Sequence, residues 1–254
     1  MKITRDELPN VLATGRYRTW LVSGDEPLLV GECADAIRKH ARGTGCTDRE
    51  VYFVERNFDW NVLRQSAASL SLFGARRLIE VRLPSGKPGV DGAQVLGELM
   101  TEPPPDTVWL MITGHLDRTA RSSAWVQAVE RRGVWLPLYP LEPAELLPWL
   151  AERCERSGLA IDRAALRLLA SRVEGNLLAA QQEIDKLALL AVDSHLTVDL
   201  VDGAVLDSSR QAIEQLLVAA LRGDGARALR QLAGLREAGE EPTLILWNLA
   251  TQIE

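Results

Sequence analysis

In the first 140 residues, short apolar runs alternate with stretches whose apolar positions recur at helical spacing. Thr19-Trp20-Leu21-Val22 and Val51-Tyr52-Phe53-Val54 read as strands. Leu78, Ile79, Val81 and Leu83, interrupted by Arg77, Glu80 and Arg82, make a third. Thr107 to Ile112 is nearly all apolar, as a strand buried on both faces would be, and Val134 to Leu138 is a fifth. Between them the pattern predicts an entry helix over 1–15 and helices over 27–42, 61–70, 92–100 and 122–131. Pro27 suits a first helical turn, Arg38, Lys39 and Arg42 favour the end of that helix, and Pro103-Pro104-Pro105 stops another. This alternation argues a parallel sheet covered by helices.

The character changes near Pro140. From Pro143 onward the pattern predicts helices only, over 145–157, from a cap at Asp162 to 173, from Asn176 through Leu190, and over 198–205. Helical periodicity returns over 213–221, 225–237 and from Pro242. The expected domains are therefore an α/β domain over 1–140, a small helical domain over 141–208 and the beginning of a third, helical domain over 209–254 that looks incomplete. A chain of 254 residues suits two or three cores.

Charge narrows the function. The net charge is -6; residues 1–140 carry 18 Lys+Arg against 17 Asp+Glu, residues 141–210 carry 7 against 12, and residues 211–254 carry 4 against 6. No segment has the dense positive field of a protein that grips nucleic acid alone, so any DNA contact is expected to be shared with other chains. Arg16, Arg18, Arg38, Lys39 and Arg42 read as solvated surface. The N-terminus has no apolar signal segment and no run approaches a membrane span. Cys33, Cys46 and Cys154 lack metal-ligand spacing, which points to a reducing cytoplasm and no metal site.

The turn after the first strand is where a phosphate-binding loop would sit. That chemistry needs G-x-x-x-x-G-K-[ST], with glycine backbone around the phosphates, a lysine to neutralise them and a hydroxyl on magnesium. Here Gly24-Asp25-Glu26-Pro27 leads to Gly31-Glu32: the glycine spacing is too long and no lysine follows. Asp25 and Glu26 would repel phosphate, and Pro27 removes a donor. The strand 107–112 ends in Thr113-Gly114-His115 without a carboxylate for magnesium, and His115 reads as a loop residue. The expectation is a degenerate loop at Gly24, Asp25 and Glu26, with no bound cofactor and no catalytic residue. A divergent phosphate-loop NTPase or nucleotide kinase is the main alternative, and a helical adaptor with an inert α/β scaffold is a third.

Ahead of the third strand, Ser69-Leu70-Ser71-Leu72-Phe73-Gly74 sets large apolar residues among small ones where a polar turn is ordinary. Two readings stand on these residues: Leu72 and Phe73 fold back to cap the core, or they form an exposed wedge for a partner's pocket.

The G-D-E turn after the first strand, the S-L-F-G-A-R-R-L run before the third and E-G-N-L in the helical region together resemble the delta subunits of the bacterial DNA polymerase III clamp loader. The resemblance spans the chain. It implies an AAA+-like (RecA-type) domain without a working phosphate loop, then a three-helix lid and a helical collar. It implies a subunit that neither binds nor hydrolyses ATP. Such a subunit binds the ring-shaped sliding clamp (the beta subunit) and holds one interface open, in a hetero-pentamer with gamma/tau and delta prime subunits. Primer-template DNA is met only as part of the complex, and no membrane is involved. By resemblance Leu70, Leu72 and Phe73 are the clamp-binding tip, with Leu72 and Phe73 the plug.

Overall fold

The computed structural model describes residues 1–69, 76–173, 175–191, 193–204, 210–237, 242–243, 245–246 and 250, with the side chains of 204, 210–215, 226, 230, 234, 236 and 237 left aside. Leu70, Leu72 and Phe73 therefore lie outside the described residues. The chain divides into two compact units, Met1–Pro140 and Leu141–Glu254.

The first unit is built on a five-stranded parallel sheet: β1 (Thr19–Ser23), β2 (Cys46–Phe53), β3 (Arg76–Leu83), β4 (Thr107–Thr113) and β5 (Val134–Pro137). The strand order is β2-β3-β4-β1-β5. Its helices are α1 (Leu8–Ala13), α2 (Pro27–Gly43), α3 (Asn61–Ala68), α4 (Gly89–Thr101), α5 (Arg118–Arg121) and α6 (Ala124–Arg132). On one sheet face Leu21, Ile79, Val81, Trp109, Met111 and Trp135 pack against Leu63, Leu96, Met100, Trp125 and Val129 from α3, α4 and α6. Side chains of this size each contribute roughly 1.5–3 kcal/mol when fully buried, so this layer is the main cohesion of the unit.

The opposite face meets α2 and carries a charge in its interior. Glu80 is fully buried at the middle of β3. Arg38 of α2 grips both of its carboxylate oxygens at 2.8 Å, Arg49 of β2 reaches one at 2.9 Å, and Arg82 donates to the other at 2.7 Å. Burial pushes the Glu80 carboxyl up, but the hydrogen bonds and charge of Arg38, with those from Arg82 and Arg49, outweigh it and hold the group down to about 2. Arg38, expected on the solvated surface, is thus committed to the core.

Two local expectations are corrected here. The entry helix does not span 1–15: Met1–Ile3 extends along β5, with Ile3 N–H donating to Trp135 O at 3.0 Å and Trp135 N–H to Met1 O at 2.8 Å, and α1 starts at Leu8. β5 is an edge strand, and pairing satisfies backbone groups that a helix at 1–7 would leave open. β2 begins five residues earlier than the apolar run suggests, because an edge strand tolerates the polar stretch Thr47–Glu50. The helix expected over 122–131 forms as α6 with Ser123 preceding it, and the short α5 stands before it, capped by Asp117 through Ala120 N–H at 2.8 Å.

The second unit contains α7 (Pro143–Arg156), β6 (Ala160–Ile161), α8 (Arg163–Val173), α9 (Leu177–Leu190), β7 (His195–Leu196), α10 (Val198–Ala204), α11 (Arg210–Leu221) and α12 (Gly225–Glu237). It is not helices only: β6 and β7 pair in parallel, and Asp162 beside them meets His195 Nε2 at 3.2 Å. Trp149, Leu150, Cys154, Leu169, Ile184 and Leu187 form its buried interior. Asn176 caps α9 through Ala179 N–H at 3.0 Å, whereas Glu174, the first residue of the E-G-N-L run, and the boundary expected near 209 lie outside the described residues. The three cysteines are free and buried, and burial pushes the Cys154 thiol up to about 11. Among the described residues no helix is long and apolar enough to cross a membrane, and no group of three His, Cys, Asp or Glu is placed to hold a metal.

The Glu80 cluster predicts a pH dependence with a definite sign. The carboxyl is held lower in the folded chain than in the unfolded one, so its stabilisation is complete above about pH 4.5 and is lost as pH falls toward 2. Glu80→Gln is expected to cost roughly 3 kcal/mol at pH 7 and much less at pH 2.5, read from urea unfolding midpoints at the two pH values.

Candidate functional site

In this strand order β1 leads away to the far edge of the sheet, while the chain leaving β4 crosses to β5 on the other side of β1. The crevice at the carboxyl ends of β1 and β4 is therefore the topological switch point, where ligands of such sheets bind. Here it is closed by the chain's own groups. Gly24 N–H donates to Thr113 O at 3.1 Å, Gly114 N–H to Pro84 O at 3.1 Å, and Leu138 N–H to Ser23 O at 2.6 Å. A Cβ on Gly24 would stand 2.6 Å from Leu138 O, and one on Gly114 would stand 2.4 Å from Pro84 O. Both glycines serve this tight convergence of turns.

The charged residues at the crevice complete the closure. The Asp25 carboxylate accepts the His115 N–H at 2.7 Å, which ties the turn after β1 to the loop after β4. Glu26 caps α2 by accepting Leu28 N–H at 3.3 Å, and Pro27 has no N–H to offer. A helix N-terminus attracts anions through unsatisfied donors and a positive dipole end. In α2 the Glu26 carboxylate answers one of these donors, and the three residues expected to form a degenerate loop, Gly24, Asp25 and Glu26, stand together at the switch point. His115 sits in the loop after β4, its ring 6.2 Å from Tyr139 and its Nε2 3.4 Å from Arg121. A separate groove of about 590 Å³ lies by the ends of β2 and β3, lined by Phe58, Trp60, Leu83, Pro84, Lys87 and Asp91 among others. Its mixed charges favour no anion.

The opposite, amino-terminal rim of the sheet frames the segment 70–75. On one flank α3 ends at Ala68, and Ser69 Oγ donates to Gln65 O at 2.8 Å. On the other flank Arg76 opens β3, paired across the strands with Cys46, and its Nη1 donates to Thr44 O at 3.1 Å. Arg77 joins the two flanks: its guanidinium donates to Ser66 O and to Ala67 O at the end of α3 and meets the Glu50 carboxylate at 3.4 Å. Glu50 also accepts from Tyr52 at 2.6 Å and Ser66 at 2.7 Å. Burial raises the Glu50 carboxyl, but these hydrogen bonds and the Arg77 charge more than offset it and keep it below the ordinary range. Sequence reading singled out the apolar residues of 70–75 and passed over this brace. Arg77, Glu50 and Ser66 look like ordinary surface residues until the fold brings them together.

Comparison with known proteins agrees with this geometry. The family described as DNA polymerase III, delta subunit, matches residues 20–138, and one described as a middle domain matches 142–203. The DNA polymerase III subunit delta of Escherichia coli is 31% identical over 256 residues, covering 100% of this chain and 74% of that protein. Among solved structures, the Bacillus subtilis DNA clamp loader delta protein superposes with a TM-score of 0.64 at 20% identity, over 98% of this chain and 76% of that one. A RuvB variant of Thermotoga maritima gives 0.50 at 14% identity, over 93% and 81%. These two likenesses extend the parallel-sheet architecture to the AAA+-like fold.

Magnesium-ATP at 1 mM is expected to leave the thermal midpoint within about 0.5 °C of its value without nucleotide, measured by differential scanning fluorimetry. A site with a dissociation constant near 10 μM would add about 2.7 kcal/mol and a shift of several degrees. Gly24→Ala, which forces a methyl against Leu138 backbone, is expected to lower stability by about 1–3 kcal/mol in chemical denaturation.

Proposed function

We propose a function from one premise: the chain belongs to the DNA polymerase III delta-subunit family, and so is a component of that holoenzyme. In this reading it is the clamp-loader subunit that binds the sliding clamp and opens the ring, or holds it open, for loading onto primed DNA. It has no catalysis of its own. The nucleotide is bound and hydrolysed by neighbouring subunits, and the delta chain works in the cytoplasm within an assembly of gamma/tau and delta prime subunits. Leu70, Leu72 and Phe73 are the tip, with Leu72 and Phe73 entering an apolar pocket of the clamp. The observation that supports this most directly is the pair of hydrogen bonds by which Arg77 ties the end of α3 to the start of β3, on either side of residues 70–75.

The mechanism follows from population shifts. A closed ring opens in response to a ligand only if the ligand binds the open form better than the closed one. Two large apolar side chains supply roughly 1.5–3 kcal/mol each on full burial, enough to bias an interface if the pocket is complete only in the open ring. That bias is usable only if the tip is carried on something stiff, since a floppy stem would lose the gain to ordering entropy. The closed switch point at Gly24 fits a subunit that answers its partners' nucleotide state and has none of its own.

Leu72→Ala with Phe73→Ala is expected to reduce capture of purified sliding clamp at least a hundredfold, with an unchanged circular dichroism spectrum and thermal midpoint. Undiminished capture by the folded double variant would remove the tip assignment.

A further inference from the structure

Beside the frame of the tip lies a second feature that the apolar plug does not explain. Tyr17, Arg18, His40, Thr44, Arg76 and Thr107 line a small pocket of about 120 Å³ at the amino-terminal rim. The residues before β1, at the end of α2, and at the starts of β3 and β4 converge here. Two arginines and a histidine line the pocket, and no carboxylate does. Arg18 and Arg76 are exposed, and both raise the positive potential felt at the buried Cys46 thiol.

The arginines are held in place yet not used up. Arg18 Nη1 donates to Pro105 O, and Arg76 Nη1 donates to Thr44 O at 3.1 Å. Each of these carbonyls takes one donor of a guanidinium that has several, and neither arginine meets a carboxylate among the described residues. The α2 terminus does not fill the pocket with its own acceptors. The Ala41 carbonyl is taken by Thr44 N–H and Thr44 Oγ1, and the Arg42 carbonyl by Gly45 N–H at 3.1 Å. Tyr17 is fixed on one side by Arg16, 5.6 Å from its ring, and on the other by the edge of Trp20. What remains is a pre-positioned cationic niche of a size for one anionic group.

We propose that Arg18 and Arg76 bind an acidic side chain of the sliding clamp, beside the pocket that receives Leu72 and Phe73, and that this contact orients the approach of the ring. The inference rests on the tip reading above and deepens it. Two observations select a carboxylate of that partner as occupant. Arg76 directly follows the segment 70–75, so a protein that holds Phe73 lies within roughly 10 Å of chain from Arg76. The niche is single and small, and the unit around it is nearly neutral, whereas a DNA backbone needs a row of cations. Exposed arginines of this kind act on encounter more than on residence. Opposite charge at an interface rim raises the association rate and loses its effect in high salt.

The test is surface plasmon resonance of the full chain on immobilised sliding clamp from the same organism, at 50 mM and 500 mM NaCl. Arg18→Gln with Arg76→Gln is expected to slow association about 5–10-fold at 50 mM salt, with dissociation changed less than twofold, and to match the unmutated chain at 500 mM. Arg18→Lys with Arg76→Lys is expected to restore most of the rate. Unchanged association by the glutamine variant, with binding still abolished by Leu72→Ala and Phe73→Ala, would overturn this inference and leave the tip standing. Loss confined to binding of primed DNA by the assembled clamp loader, with clamp association unaffected, would also overturn it and assign the niche to phosphate. Absence of clamp binding by the unmutated chain would overturn both readings.

Discussion

Glu80 is a negative charge in the interior of a parallel sheet, and it stays ionised only while three arginines from two strands and a helix hold their places. An isolated carboxylate there would be forced to take up a proton, so the cluster is a geometric constraint as much as an attraction. It fixes α2 over β2 and β3 through the bidentate grip of Arg38. Both ends of the sheet inherit their positions from that fixation. The start of α2 carries the closed crevice, and its end carries Thr44, which holds Arg76.

The two ends have opposite fates. At the carboxyl ends of the strands, where such a sheet ordinarily receives a ligand, Gly24 and Leu138 donate to the ends of neighbouring strands, Gly114 donates to Pro84, and the helix terminus is met by Glu26. At the amino-terminal rim, where strand starts are ordinarily only structural, Arg77, Glu50 and Ser66 brace the two flanks of one short segment. The two rims of one sheet are thus tied down by different means.

What could be read along the chain follows from how local each cause is. β1 and β4 were legible because strands buried on both faces must be continuously apolar, and α2 because proline, spacing and terminal cations agree. The first half of β2 was hidden, since Thr47, Asp48, Arg49 and Glu50 satisfy an edge strand and carry no apolar signal. The pairing of Met1–Ile3 with β5 and the short β6–β7 pair depend on partners far along the chain. At the crevice, residue type alone placed Gly24, Asp25 and Glu26 in the turn after β1. The hydrogen bond of Asp25 to a residue ninety positions away could not be seen. The brace was illegible for the same reason: Arg77 and Glu50 advertise nothing until they are adjacent.

The closure at Gly24 also bears on reversibility. Installing a lysine after Gly31 would not by itself restore a phosphate loop, because Asp25 would still place a negative charge at the turn, Glu26 would still hold the first free donor, and Pro27 would still lack its own. Each repair taken singly leaves the other obstacles standing and disturbs a working turn. A return to nucleotide binding at this turn would therefore require several changes made together.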